Sequence, residues 1–279
     1  MAGEPTFVAF DVETTGLHPL CDRVVEVGAL RFGLGGPREA YESLVNPERP
    51  IPEDAVAVHG IDEAAVAGAP LFAGIAEDLR RLMDGAVLVA HNASFDASFL
   101  LCECHRAGID PPEIGALDSC TLARLAFPGM DRYSLDHLVE KLGLDRSRGH
   151  RALPDAAASA DLFLRSLRRL GVEGAGDLGR FYAAHAPVPI ADLGYRPCGS
   201  LPEGYERIER ALRDGTGVSI VYADRFGNTS SREVVPLRVA SAQGVFMMEA
   251  HCLLREGTRC FRLDRIKAIR DSDGNVVGP

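Results

Sequence analysis

Two carboxylates meet near the start of the chain in a way that calls for a positive charge. Thr6–Asp11 (TFVAFD) is a short apolar run ending in an acid, which predicts a buried strand with an exposed C-terminal end. Asp11 and Glu13 are two residues apart, and on a strand residues i and i+2 share a face. Carboxylates so placed repel one another unless something positive lies between them, and a divalent cation with hard oxygen ligands meets that need. Taken alone, the D-x-E pattern reads equally well as a solvated acidic turn. Gly16, after Thr14 and Thr15, lets the backbone approach a ligand closely. A second acid stands in His91–Asp96 (HNASFD), where a polar turn leads into a helix. Asn92 or Ser94 can cap that helix and Asp96 can complement its dipole, an ordinary explanation for this segment by itself. A third stands in Gly149–Ala156 (GHRALPDA). Gly149 suggests a mobile loop around His150, and Pro154 suits the first turn of the helix that holds Asp155. A lone loop histidine is more often a surface residue than a base. What single-residue explanations leave unexplained is three such segments in one chain, one of them a strand-end pair.

These residues sit on a regular frame. Arg23–Phe32 and Arg38–Val45 read as second and third strands, with gaps too short for crossover helices, so antiparallel pairing follows. Asn46–Pro70 is Pro-rich and irregular. Leu71, Ile75, Leu79 and Leu82 mark an amphipathic helix over Leu71–Met83. Ala86–Ala90 reads as a strand, Ala93–Ala107 as a helix, then a strand ending at Asp118 and helices over Ser134–Leu142 and Leu153–Leu170. Alternating strands and helices around a mixed sheet predict an α/β domain. Gly171–Ser200 lacks sustained periodicity and reads as a linker with one short helix near Asp177–His185. A helix over Pro202–Arg213 then leads into strand-like runs at Val218–Tyr222, Arg232–Ala240, Val245–Leu254, Arg259–Leu263 and Lys267–Arg270. The expected organisation is an N-terminal domain over 1–170, a linker over 171–200 and a small β-rich domain over 201–279, consistent with 279 residues as a two-domain length.

The segments FDVETTG (Phe10–Gly16), HNASFD and HRALPDA (His150–Ala156), with His59-Gly60-Ile61 between them, resemble the DEDDh 3′→5′ exonucleases. That family includes the proofreading subunit of bacterial replicative polymerase, ribonuclease T and oligoribonuclease. The resemblance spans about residues 5–170, with order and spacing intact. It implies a ribonuclease-H-like fold. It also implies Thr14, Thr15, Gly16 and Leu17, with His91, Asn92 and Phe95, beside the terminal nucleotide. Val12 stands where relatives often have Thr, on the side of the strand away from the acids. Phosphodiester hydrolysis needs an activated water and relief of charge on the phosphate and leaving oxygen, which two divalent ions roughly 3.5–4 Å apart can supply. Mg²⁺ or Mn²⁺ suits carboxylate ligands. By analogy Asp11 bridges the ions, Glu13 and Asp155 complete the site that activates water, and Asp96 supports the second ion. His150 can accept the water's proton near neutral pH.

The C-terminal stretches VSIVYADRFGN (Val218–Asn228), SREVVPLRV (Ser231–Val239), GVFMMEAHC (Gly244–Cys252) and CFRLDRIKAI (Cys260–Ile269) are similar to a WYL domain over about 204–271. The resemblance implies an SH3- or Sm-like small barrel that binds nucleic acid or a nucleotide-like ligand. Phe246-Met247-Met248 replaces the triplet that names the family. Tyr222, Arg232, Arg259, Arg262 and Arg265 are the candidate ligand residues. Pairing of Arg262 and Arg265 with nearby acids is the alternative.

The first 200 residues hold 18 basic and 29 acidic residues, against 12 and 11 in the remainder. An acidic chain is a poor nonspecific nucleic-acid binder, but carboxylates gathered to hold cations would make a nuclease domain acidic. No apolar run approaches the roughly 18 residues that span a membrane, and an acid stands where a signal peptide carries basic residues. A cytoplasmic protein is expected. Its seven cysteines, with no C-x-x-C, are expected as reduced thiols. The expected partner is a DNA 3′ end, with RNA ends (an exoribonuclease or oligoribonuclease) as the alternative substrate. A non-catalytic nucleic-acid- or ligand-binding regulator is the alternative of another class. The chain shows no clamp-binding peptide, which favours a stand-alone repair or processing enzyme over a polymerase subunit.

Overall fold

The structure is a computed structural model that describes residues 5–147, 149–198, 200–224, 227–242, 244–270, 276 and 278. The chain divides into two units, Met1–Leu17 with Asp22–Gly194, and His18–Cys21 with Tyr195–Pro279.

The first unit opens with an antiparallel meander, β1 (Phe7–Thr14), β2 (Val24–Gly33) and β3 (Gly36–Leu44). Helices α1 (Glu53–His59), α2 (Glu63–Val66) and α3 (Phe72–Met83) follow, then β4 (Val87–Ala90) and α4 (Ala93–Ala107). Next come β5 (Gly115–Asp118), α5 (Ser119–Ala126), α6 (Leu135–Leu142) and α7 (Ala152–Arg169). Strands β4 and β5 run parallel to β1, so the sheet is mixed, in the order β3-β2-β1-β4-β5-β6.

Strand β1 is buried on both faces, and its alternation decides where the acids go. Val8 and Phe10 pack with Ile75, Leu79 and Phe99 of α3 and α4. Phe7 and Ala9 face the other way, onto Phe163 and Leu167 of α7. Phe7, Phe32 and Phe163 form an aromatic cluster with ring centroids 5.0–6.0 Å apart. Asp11 and Glu13 continue the Phe7–Ala9 parity, so both point to the side that α7 covers. Gly28 on β2 lets that helix approach closely: a Cβ there would lie 2.1–2.4 Å from the backbone of Ala152 and Leu153.

Residues 171–194 carry structure that belongs to the first unit. Helix α8 (Ala175–Ala184) buries Leu178 and Phe181 beside α7. Strand β6 (Val188–Pro189) pairs antiparallel with β5, and α9 (Ile190–Leu193) buries Ile190. The sequence reads as a linker here because a two-residue strand and a one-turn helix are too short to show a period.

The second unit contains β7 (Arg196–Pro197), α10 (Glu206–Asp214), β8 (Val218–Ala223) and β9 (Thr229–Ala242). It continues with β10 (Val245–Cys252), β11 (Gly257–Arg262) and β12 (Ile266–Arg270). All described pairs are antiparallel, along the path β11-β10-β9-β8-β12, with β7 on β9. This is the small β-rich domain expected, with its pairing described as a sheet. Met248 is fully buried and Met247 nearly so, so the altered triplet contributes packing. Strand β10 stops at Cys252 because Leu253–Arg255 turns as a 3₁₀ segment.

The expectation of thiols throughout fails at one pair. Cys21 is disulfide-bonded to Cys260 within the second unit, while Cys102, Cys104, Cys120, Cys198 and Cys252 remain thiols. The partners lie 239 residues apart in sequence, a separation about which motif spacing is silent. Among the described residues no helix is long and apolar enough to cross a membrane.

Candidate active site

Three of the four acids converge. Carboxylate oxygens of Asp11, Glu13 and Asp155 lie within 4.8 Å of one another. Strand β1 presents the first two, and the first turn of α7 brings the third across the sheet. Asp96 lies behind the strand: it is buried in α4, and one oxygen accepts the Val12 backbone N–H at 3.2 Å. His150 is on the loop before α7, half exposed, with its ring 3.9 Å from Asp136. Its φ of 55° is a left-handed conformation, which costs a non-glycine residue strain.

The seats of these residues are built by Glu26 and Asp118, which carry no motif signal of their own, and by His91, which does. Glu26 on β2 is wholly buried and pairs with Arg151, whose Nε lies 2.9 and 3.0 Å from its two oxygens. The same carboxylate accepts the Ala152 backbone N–H at 2.9 Å. It therefore satisfies an open donor at the start of α7 and fixes the helix that carries Asp155. An acid inside the apolar run RVVEVGAL was the available signal. Asp118, at the end of β5, accepts the backbone N–H groups of Ala93, Cys120 and Thr121 at 3.2, 2.7 and 3.1 Å. One carboxylate thus caps α5 and ties down the turn before α4, where Asn92 is left-handed at φ 69°. His91 braces the same corner. Its Nε2 donates to the Tyr133 carbonyl at 2.8 Å, and Nδ1 accepts from the Ser119 hydroxyl at 3.0 Å.

The other residues placed beside the nucleotide divide into two kinds. The Thr14 hydroxyl donates to the Gly16 carbonyl at 2.6 Å, and Thr15 Oγ1 accepts the Arg23 N–H at 3.0 Å. Those two side chains hold the turn. A Cβ on Gly16 would meet the Asp22 carboxylate at 2.4–2.8 Å, so a larger residue here would displace that side chain. Leu17 is 76 % exposed and Asn92 is exposed. Phe95 leans on Phe99 with centroids 4.9 Å apart.

The electrostatics of the cluster are unfavourable to its own charges. Burial, then Asp96, Asp155 and Glu13, hold the Asp11 carboxyl well above the usual carboxylate range. Burial, Asp155 and Glu26 push Glu13 up to about 7. Burial raises Asp96 despite the bond from Val12, and raises Asp155 against the opposing effect of Arg146. Arg146 is the cation sequence reasoning missed. Its Nε and one terminal nitrogen grip the Asp155 oxygens at 2.5 and 2.7 Å, and its other terminal nitrogen pairs with Asp136. Carboxylates whose charged forms are disfavoured by burial and by one another are what a hard divalent cation would relieve. The donor set fits such an ion.

In the second unit a cavity of about 400 Å³ is lined by Tyr222, Arg232, Arg259 and Phe261, among others. Arg262 lies outside it, forked onto Asp264 at 3.0 and 2.7 Å. Arg265 is half buried in the 3₁₀ turn Leu263–Arg265, away from the cavity lining.

Residues 203–271 match the WYL domain family. Among curated proteins, a DNA polymerase III subunit epsilon-like protein of Rhodobacter capsulatus is 42 % identical over 182 residues, covering 62 % of this chain and 25 % of its own. The DNA polymerase III subunit epsilon of Treponema pallidum is 38 % identical over 159 residues, covering 56 % of this chain and 74 % of its own. The chain spans a quarter or less of the first curated relatives it matches. The fold is shared with the nuclease domain of 3′hExo, a DEDDh family member, bound to rAMP. That structure gives a TM-score of 0.55 at 18 % identity, covering 62 % of this chain and 96 % of the other. The exonuclease family model matches residues 8–163, more than half of the length, and the four carboxylates lie inside that match: the chain belongs to the exonuclease family.

Proposed function

We propose that the chain is a metal-dependent exonuclease that removes nucleotides from the 3′ end of DNA, single-stranded ends preferred. The observation that carries this reading is the convergence of Asp11, Glu13 and Asp155 within 4.8 Å, with Asp96 behind the same strand. The polymerase-subunit names of the relatives favour DNA over RNA.

Asp11 is the natural shared ligand, with Glu13 and Asp155 on one side and Asp96 on the other. Two Mg²⁺ or Mn²⁺ ions bound there would neutralise charge on the phosphate and the leaving oxygen. His150 takes the proton of the attacking water at its imidazole and passes it to solvent, which its half-exposed position allows. Leu17 and Phe95 offer apolar surface to the terminal base, and Asn92 an amide to its sugar or phosphate. The Tyr222–Arg232–Arg259 cavity pairs an aromatic face with guanidinium groups, a combination that suits single-stranded nucleic acid or a nucleotide-like ligand. A stand-alone cytoplasmic repair or processing role belongs to the same reading.

The test is digestion of a 5′-labelled single-stranded DNA oligonucleotide beside the equivalent RNA, with Mg²⁺ or Mn²⁺. A ladder shortening from the 3′ end, lost with EDTA and in Asp11→Ala, supports the reaction. A higher rate on RNA would replace the substrate with RNA ends, since the discrimination lies at the 2′-OH. Cleavage of neither by folded protein would leave a nucleic-acid- or ligand-binding regulator.

A further inference from the structure

Arg146 sits directly against one of the acids. Both oxygens of Asp155 are taken by its fork, at 2.5 and 2.7 Å, and its side chain is 7 % exposed. A bidentate guanidinium–carboxylate pair is among the stronger charged hydrogen bonds. The same two oxygens are the ones Asp155 has to offer a metal. Arg146 has a second partner directed away from the cluster, Asp136 in the first turn of α6, 60 % exposed. The guanidinium also lies against Gly149, where an added Cβ would stand 3.0–3.2 Å from it. His150 follows Gly149 and faces Asp136 too, at 3.9 Å.

We propose that Arg146 is a built-in counter-ion of the acidic site: it clamps Asp155 in the metal-free protein and is left to Asp136 alone when a divalent cation takes Asp155. This rests on the metal-binding reading of Asp11, Glu13 and Asp155 above. The exchange replaces the single charge of the guanidinium at Asp155 with the double charge of the incoming cation. It makes Arg146 a positioning residue rather than a ligand. It also couples metal entry to the segment before α7, since the group that must move packs against Gly149 beside His150.

The experiment is calorimetric titration of Mn²⁺ into the full chain, stripped with EDTA and desalted. Removing the competitor in Arg146→Ala should tighten Mn²⁺ binding by roughly tenfold, since a charge-assisted bidentate pair no longer has to be broken. Arg146→Lys, which carries the charge without the fork, should fall between the two. Asp136→Asn should change affinity in the opposite direction, because Arg146 then has only Asp155 to hold. Melting in EDTA confirms that each variant is folded, and the opposite signs separate the exchange from a general loosening of the site. Equal or weaker Mn²⁺ binding by folded Arg146→Ala would overturn the proposal, as would an unchanged affinity in Asp136→Asn. Failure of wild type and variants alike to bind Mn²⁺ would instead overturn the metal reading on which it rests.

Discussion

The two units differ in what offsets their buried charge. In the first, the buried Glu26 and Glu103 are paired with arginines, but Asp11, Glu13, Asp96 and Asp155 crowd one end of a strand, where burial raises the pKa of each. In the second, the buried Glu249 has Arg238 as a partner from the neighbouring strand, and Arg262 is forked onto Asp264. The metal-type cluster of acidic and related ligands among the described residues is in the first unit. A fold tolerates unmatched charge where something else is to supply the balance. The first unit is therefore where an ion is expected.

The contrast can be broken most easily at activity. Asp11→Ala should lower nuclease turnover by on the order of 10³-fold or more, because metal charge stabilisation is worth several kcal/mol. The double change Arg232→Ala with Arg259→Ala should leave turnover within about tenfold and act mainly on binding, since both remove guanidinium groups from the cavity rather than from the acidic cluster. Rate and binding measured separately on one DNA oligonucleotide check both. Comparable losses of turnover would erase the distinction between the units.

Stability offers a second comparison. Arg151→Ala strands the Glu26 carboxylate in the core without its partner, which should cost about 3–5 kcal/mol. Arg238→Ala leaves the buried Glu249 without its arginine, but that arginine is already 42 % exposed and water can take its place, so a smaller loss of about 1–3 kcal/mol is expected. Denaturant midpoints of the two variants decide, and a larger loss in the second would contradict the assignment of Glu26 as the seat of α7.

The smallest effect expected is in pH dependence. Glu13 is raised to about 7 in the folded protein from an ordinary 4.5. Between those values the native state binds more protons than the unfolded one, so stability falls as pH rises. Its contribution is fully present below about 4.5 and is lost through about 7. In EDTA the melting temperature should decline over that window, and the gain on adding Mg²⁺ should grow with pH. A Mg²⁺ gain that is flat from pH 5 to 8 would count against Glu13 as a ligand.

The parts of the site legible in the sequence are those with a period or a terminus to announce them. Asp11 and Glu13 follow from i, i+2 spacing at the end of an apolar run, and Asp96 and Asp155 from the first turns of two helices. The antiparallel meander and the long α7 follow from loop lengths and apolar spacing. Arg146 has no such mark, because a loop arginine becomes part of the site only when α6 and α7 bring Asp136 and Asp155 to it. Glu26 and Gly28 read as interruptions of a hydrophobic strand until the start of α7 lies over them. His91, expected beside the nucleotide, has both ring nitrogens occupied by Ser119 and Tyr133, partners 28 and 42 residues away. Short elements such as β6 and α9 are set by tertiary pairing, which a local pattern does not contain.

The measurement that bears most directly on the central claim is anomalous diffraction from crystals of the full chain soaked with Mn²⁺ and a nucleoside 5′-monophosphate. The account predicts one manganese peak among Asp11, Glu13 and Asp155, a second nearer Asp96, and Arg146 withdrawn from Asp155. Full-occupancy nucleotide with no manganese at these carboxylates, and Arg146 still forked onto Asp155, would contradict it.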